Sequence, residues 1–233
     1  MSFSKCIEIL IKYHKSFLLG IRTTLIVALI GTLIGLLIGL LAGGIRAIRP
    51  DKTLSKGKKA LKVFIDLLIK IYIEVFRGTP MMVQAVFIYY LVYTNIVHWD
   101  KMVAAIFVIS INTGAYMAEI IRAGIQSVDV GQMEAARSLG LPYWRSMQRV
   151  ILPQAIRTMI PSIINQFIIT LKDTSILSVI GFPELVNTAK NVVAATFLSF
   201  QTWGIVAIMY LIVILLLQWA AKVLERRLKY ESR

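Results

Sequence analysis

Little in this sequence could form a disulfide or chelate a metal. A single cysteine, Cys6, rules out a disulfide within the chain, and two histidines, His14 and His98, form no metal-ligand cluster. No Ser/His/Asp set, H-E-x-x-H run or acid pair is visible, so catalytic and metal residues are both expected to be absent. There is also no G-x-x-x-x-G-K-[ST] segment. Its nearest counterpart, Gly57-Lys58-Lys59, lacks the first glycine and the hydroxyl residue, so the chain does not cradle nucleotide phosphates by that device. Charge is scarce as well: 16% of the 233 residues are charged against 58% hydrophobic, far more apolar than soluble proteins.

What the chain does contain is membrane helix. Several apolar runs of about 20 residues are each long enough to cross roughly 30 Å of hydrocarbon. They predict an all-α integral membrane protein forming one transmembrane domain over 1–233. Five spans are expected at about 17–44, 63–93, 102–121, 154–181 and 202–221, with a solvent-side loop at 122–153. Residues 1–16 read as an amphipathic lead-in, and the first apolar run is too long for a cleaved signal core, so it is read as a retained span. Gly31, Gly35 and Gly39 recur at four-residue spacing on that span, a stripe that lets another helix approach closely.

The net charge of +14 gathers at span ends, which points to orientation and anionic lipid rather than to nucleic acid. Loop 46–62 carries seven Lys/Arg, loop 122–157 five and the tail 222–233 five; the opposite side has four through Arg22, one in 94–101 and two in 172–201. The amino terminus is therefore expected outside and the carboxyl terminus in the cytoplasm. Polar residues also occur within the spans. Asn112, Tyr116 and Glu119 fall on one face of the third span, and Ser162, Gln166 and Asp173 on one face of the fourth. An ionisable group at such depth is a functional residue by default, although Glu119 could equally pair with Arg122 at the membrane edge. Pro80 removes a backbone donor inside the second span and is expected to kink it, freeing carbonyls near a cavity.

The most informative stretch is Glu134 to Pro153, EAARSLGLPYWRSMQRVILP. Its four charges exclude it from lipid. It reads as a short helix stopped by Gly140 and a second helix begun at Pro142, with Tyr143, Trp144, Met147 and Val150 on one face, together a knob. Glu134-Ala135-Ala136, then Gly140, then Val150 and Leu152-Pro153 resembles the EAA motif of ATP-binding-cassette importer permeases, with Val150 in place of the usual isoleucine. Two further segments, Phe76-Arg77-Gly78-Thr79-Pro80 with Gln84 after it and Lys172-Asp173-Thr174-Ser175, resemble signatures of the polar amino-acid permeases of that superfamily.

The resemblance implies a type I importer permease fold of five transmembrane helices, in which the loop of Glu134, Ala135, Ala136, Gly140, Leu152 and Pro153 couples to a separate cassette ATPase. It also implies a second permease subunit, an external solute-binding protein and a place in the prokaryotic cell membrane. ATP and Mg would belong to the ATPase, leaving this chain without a cofactor. For an amino-acid zwitterion, Asp173 and Glu119 offer acceptors, while Thr79, Gln84, Asn112 and Tyr116 offer donors; Gln166, Thr174 and Ser175 complete the expected pathway. A permease for another small solute, a passive channel or ion-coupled carrier, and a membrane enzyme are the alternatives. Copurification with an ATPase separates the first from the other two.

Overall fold

The computed structural model describes residues 3–48, 55–95 and 100–230, and every described element is helical. Expectations about Arg49, Asp51, Lys52, His98 and Arg233 lie outside the described residues. Four helical stretches are long and apolar enough to cross a membrane, Ser4–Ala47, Lys101–Gln126, Tyr143–Ile180 and Ser199–Leu224, beside a shorter apolar helix at Met81–Val92.

The first helix, α1 (Phe3–Ala47), runs 45 residues, about 67 Å at 1.5 Å per residue. It packs along the central helix α4 (Lys101–Gln126), which is the most enclosed of the spans. The glycine stripe makes this contact, and it extends one step further than expected, to Gly43. A Cβ on Gly35 would lie 3.0 Å from the Thr113 side chain, and one on Gly39 would lie 2.8 Å from the Ala118 backbone nitrogen. A Cβ on Gly43 would run into the Ala118 carbonyl. Residue numbers rise together along the two helices, so they run parallel.

The expected second span is two helices rather than one kinked one. Helix α2 (Lys56–Gly78) ends where Thr79 turns extended, and α3 (Met81–Asn95) starts beyond Pro80. The residue before a proline is pushed out of the helical region, so the break falls at Thr79. Because α2 already begins at Lys56, the basic loop expected over 46–62 is shorter than its charge run. Lys62 reaches back to donate to the Ile45 carbonyl at 3.0 Å.

A second departure concerns the knob. Helix α5 (Val130–Ser138) is short as expected, N-capped by Asp129 and closed by Gly140 at φ +84°. Gly140 N–H donates to Arg137 and Leu141 N–H to Ala136, the paired bonds of a glycine-terminated helix. The second half is not a separate helix. Short α6 (Tyr143–Ser146) passes through one π-helical turn (Met147–Ile151) into α7 (Leu152–Asp173), followed by a 3-10 stretch, Thr174–Ile180. Pro153 has no N–H to return to Arg149, and the wider turn, in which Leu152 N–H bonds Met147 instead, absorbs the mismatch. The helix that carries the fourth span therefore begins some ten residues before the span expected from 154, its first turns belonging to the knob. Helix α8 (Leu185–Thr196) fills the expected external segment, and α9 (Ser199–Tyr230) is the last span.

Candidate functional site

Three polar regions lie along the chain's motifs, and they differ in how their side chains are satisfied. The first is the joint at Gly78–Pro80. Gln84, one turn into α3, sends its amide to the Phe76 and Thr79 carbonyls, each at 2.9 Å, and to the Thr79 hydroxyl at 2.7 Å. Asn112 of α4 donates to the Gln84 side-chain oxygen at 2.8 Å, and the Thr79 hydroxyl donates to Val75 at 2.7 Å. Carbonyls freed by Pro80 are thus reclaimed by side chains, as buried backbone acceptors require. Gln84 and Asn112 are 7% and 5% exposed, so in this structure their amides hold the break together rather than face a cavity.

The second region is an open groove of about 370 Å³ between the end of α2, the C-terminal half of α4, and α7. Arg77, Tyr116, Glu119, Ser162 and Gln166 lie on its wall. The Arg77 guanidinium lies 5.4 Å from the centre of the Tyr116 ring. Glu119 is held by Arg122 through several hydrogen bonds, one of them at 3.1 Å, and by Arg46 at 3.5 Å. Glu119 is thus paired, as the membrane-edge reading has it, and it also lines the groove. Arg46 and Arg77 complete this arginine cluster although the spacing of the third span gives no hint of them. The only sequence signal for Arg77 was its place in the Phe76–Pro80 segment.

Asp173 is not on this wall. Of the face predicted on the fourth span, Ser162 and Gln166 reach the groove, while half-buried Asp173 sits at the far end of α7, where the helix tightens. Its neighbours Lys172 and Ser175 border a separate groove of about 370 Å³ along α9, with Trp203 and Tyr210. Thr174 is fully buried and donates to Leu171 at 2.7 Å, and Ser175 donates to Lys172 at 2.6 Å. Those hydroxyls serve the change of helix type.

A buried acid that the sequence reading passed over lies just beyond. Glu184 is fully enclosed, caps α8 by accepting from the Val186 and Asn187 N–H groups at 2.7 Å each, and accepts from the Tyr210 hydroxyl at 3.3 Å. Burial pushes its carboxyl up to about 7, against the pull of those donors. Its position before an apolar helix start, as Glu184-Leu185, was the available sequence signal.

The third region is the knob. Glu134, Ala135 and Gly140 are exposed, and Ala136 is buried beneath them. Glu134 has no ion-pair partner among the described residues. Leu139 is 84% and Trp144 57% exposed, whereas Met147, expected on the same face as Trp144, is buried. Leu152 and Pro153 lie where the knob becomes the span. A charged, apolar and sterically open projection on a helical stem has the form of a docking surface.

Residues 54–230 match the family described as binding-protein-dependent transport system inner membrane component. The glutamine transport system permease protein GlnP of Escherichia coli strain K12 is 44% identical over 161 residues, 68% of this chain and 74% of that protein. The arginine transport system permease protein ArtQ of Bacillus subtilis strain 168 is 38% identical over 159 residues, covering 68% and 73%. A crystal structure of an amino acid ABC transporter with histidines superposes with a TM-score of 0.83 at 38% identity, over 94% of this chain and 96% of that one. The MetNI methionine ABC transporter, in inward-facing conformations, shares the fold at 17% identity with a TM-score of 0.76, over 93% and 98%. With the fold matched over 94% of the chain and the family match spanning most of the sequence, this multi-pass membrane chain belongs to the binding-protein-dependent transport system inner membrane components.

Proposed function

We infer that this chain is the permease subunit of an ATP-driven importer of a polar amino acid, driven by a separate cassette ATPase. The observation that carries this reading is the knob: Glu134 exposed and without an ion-pair partner among the described residues, beside exposed Leu139 and Trp144, on a stem continuous with α7. Because α6, the π turn and α7 form one helical body of 38 residues with the 3-10 stretch, a displacement at Trp144 is carried along that body to Ser162 and Gln166 on the groove. ATP binding at the partner would draw the knob and rotate this body, and hydrolysis would return it. A ligand shifts such an equilibrium only by its differential affinity for the two states. ATP and Mg are held by the partner, and an external solute-binding protein delivers the cargo.

Within the chain we assign the pathway wall to Tyr116, Glu119 and Gln166, with Thr79, Gln84 and Asn112 keeping the broken span in register. The carboxyl terminus is placed in the cytoplasm with the knob, and the amino terminus outside, in a prokaryotic cell membrane. The similarity to glutamine and arginine permeases supports a polar amino-acid cargo. A different small solute is the remaining alternative. The test is purification of the complex followed by uptake in proteoliposomes: an ATPase subunit should copurify, and glutamine or arginine should accumulate only with ATP and the binding protein. Transport by the isolated chain without an ATPase would overturn the reading.

A further inference from the structure

Among the described residues, Glu184 is the only fully enclosed charged side chain, and the proposed cycle gives it no role. Its place along the membrane normal follows from helix register. Gly31 meets Ile109 and Gly35 meets Thr113, so in the parallel pair Thr24 comes level with the first turn of α4. Leu185 N–H donates to the Thr24 hydroxyl at 3.3 Å, and Lys101, at the start of α4, donates to the Gly181 carbonyl at 3.2 Å. The turn that carries Glu184 therefore lies at the N-terminal end of α4, opposite the knob, which follows the C-terminal end. A groove of about 310 Å³ lined by Tyr13, Gly20, Pro183 and Thr188 opens beside it and gives water a route to the adjoining residue.

Four helical elements meet at this carboxyl. Helix α8 gives it two N–H groups and α9 gives it the Tyr210 hydroxyl, which is also hydrogen-bonded with Thr24 of α1 and with Thr174 at the far end of the stem. Charged groups stand off. Lys190 of α8 donates to Ser178 at 2.9 Å, Lys101 of α4 is engaged by Gly181, and Asp173 of the stem precedes Thr174; no ion pair among the described residues reaches Glu184. Enclosure with neutral donors is what pushes the carboxyl up to about 7. The two protonation states need different partners. A carboxylate only accepts, so Tyr210 donates to it. The protonated acid has a hydrogen to give, which the Val186 and Asn187 N–H groups cannot take but the Tyr210 oxygen can. Tyr210 then turns its own hydrogen to a threonine. Thr174 suits, because its hydroxyl hydrogen is spent on Leu171 at 2.7 Å and its lone pairs remain, whereas Thr24 already accepts from Leu185.

We propose that Glu184 is a proton-binding site that latches the far end of the stem: with a solvent proton on its carboxyl, Tyr210 redirects its hydroxyl hydrogen from Glu184 to Thr174 and ties α9 to the stem, and loss of the proton to solvent returns that hydrogen to Glu184 and frees the stem. Since the stem carries motion between the knob and the groove, acid on the external side slows uptake and a neutral to alkaline medium releases it. This rests on the permease reading and on the orientation inferred with it, and it adds a regulating ligand, the proton.

The test uses the complex purified with its ATPase and reconstituted with saturating binding protein, with glutamine as cargo because its side chain does not titrate. At fixed internal pH, ATP-dependent uptake should rise roughly fivefold as external pH goes from about 5.5 to 8.5, with its midpoint at about 7. Glu184→Gln, whose amide donates to Tyr210 as the protonated acid does, should hold uptake at the acid level at every pH. Tyr210→Phe, with no hydrogen to redirect, should hold it at the alkaline level. Infrared difference spectra of the wild-type complex should show a protonated-carboxyl band that disappears over the interval in which uptake rises and is missing from Glu184→Gln. A flat or falling wild-type profile, a pH dependence kept by either variant, or a wild type without that band overturns the proposal. Should a variant fail to assemble, the wild-type band and profile decide alone. None of these outcomes touches the permease reading, which falls only if no ATPase copurifies or uptake proceeds without ATP.

Discussion

The joint at Gly78–Pro80 and the knob at Glu134–Gly140 are both dense in motif residues, yet one is closed upon itself and the other open. At the joint, Gln84, Asn112 and Thr79 spend their hydrogen-bonding capacity on carbonyls that a proline set free. At the knob, Glu134 and Leu139 have nothing comparable to meet, and only Ala136 is buried. A motif residue whose partners lie inside the chain serves the fold, whereas one left open at a surface is, under the proposed function, there for another molecule. Motif membership alone does not distinguish the two roles; satisfaction does.

The contrast is sharpest under mutation at the joint. Gln84→Leu leaves the Phe76 and Thr79 carbonyls without their side-chain donor, and each buried unsatisfied group costs about 1–3 kcal/mol. Thermal unfolding in detergent should show a loss of roughly 2–5 kcal/mol, with Asn112→Leu smaller because it removes one strong bond. Wild-type stability after either change would mean that water replaces the side chains and that the joint is as open as the knob.

Glu184 extends the closed class to a titrating group. Its folded value of about 7 lies above the ordinary 4.5, so the fold favours the protonated acid, and the unfolded chain releases the proton first as pH rises. Stability should therefore fall between about pH 4.5 and 7 and level off above, by on the order of 3 kcal/mol. Glu184→Gln should flatten that slope while weakening the α8 cap by about 1 kcal/mol. Melting temperatures across the window, compared between the two proteins, check the sign.

At the knob the expected stability effects shrink and the functional ones remain. Glu134→Lys alters an exposed side chain and should shift stability by no more than about 0.5 kcal/mol. ATP-dependent uptake should nevertheless collapse, and ATPase copurification weaken. Equal uptake at equal ATPase abundance would remove the distinction between open and closed motifs. The smallest effect is expected from Asp173→Asn. Because Asp173 lies off the groove wall, arginine and glutamine uptake should change little and alike; a selective loss for arginine would move the pathway toward the groove of Lys172 and Tyr210.

Much of this was legible in the residues. The period of the apolar runs, the stop at Gly140 and the four-residue glycine stripe each express local rules, namely helix pitch, left-handed backbone at glycine and lack of a side chain at a close crossing. Pro80 announced a disturbance but not its form, since whether a proline kinks or breaks a helix depends on who takes the freed carbonyls, and Asn112 lies 28 positions from Gln84. Likewise, Tyr143 to Ile151, opened by Pro142 and charged at Arg145 and Arg149, read as a separate helix. Only packing of Met147 and Ile151 shows a continuous stem with one wide turn.

By itself the sequence determined that the chain is helical, lives in a membrane and projects one charged loop. Those outcomes follow from the cost of bare peptide groups and charges in hydrocarbon, which every local segment must satisfy. The tertiary structure alone decided that Glu119 meets Arg46 as well as Arg122, that Gln166 shares a groove with Arg77 while Asp173 does not, and that Glu184 is enclosed. Such pairings join residues far apart in the chain, and their energies depend on distance and burial in three dimensions, quantities that no periodicity along one helix encodes.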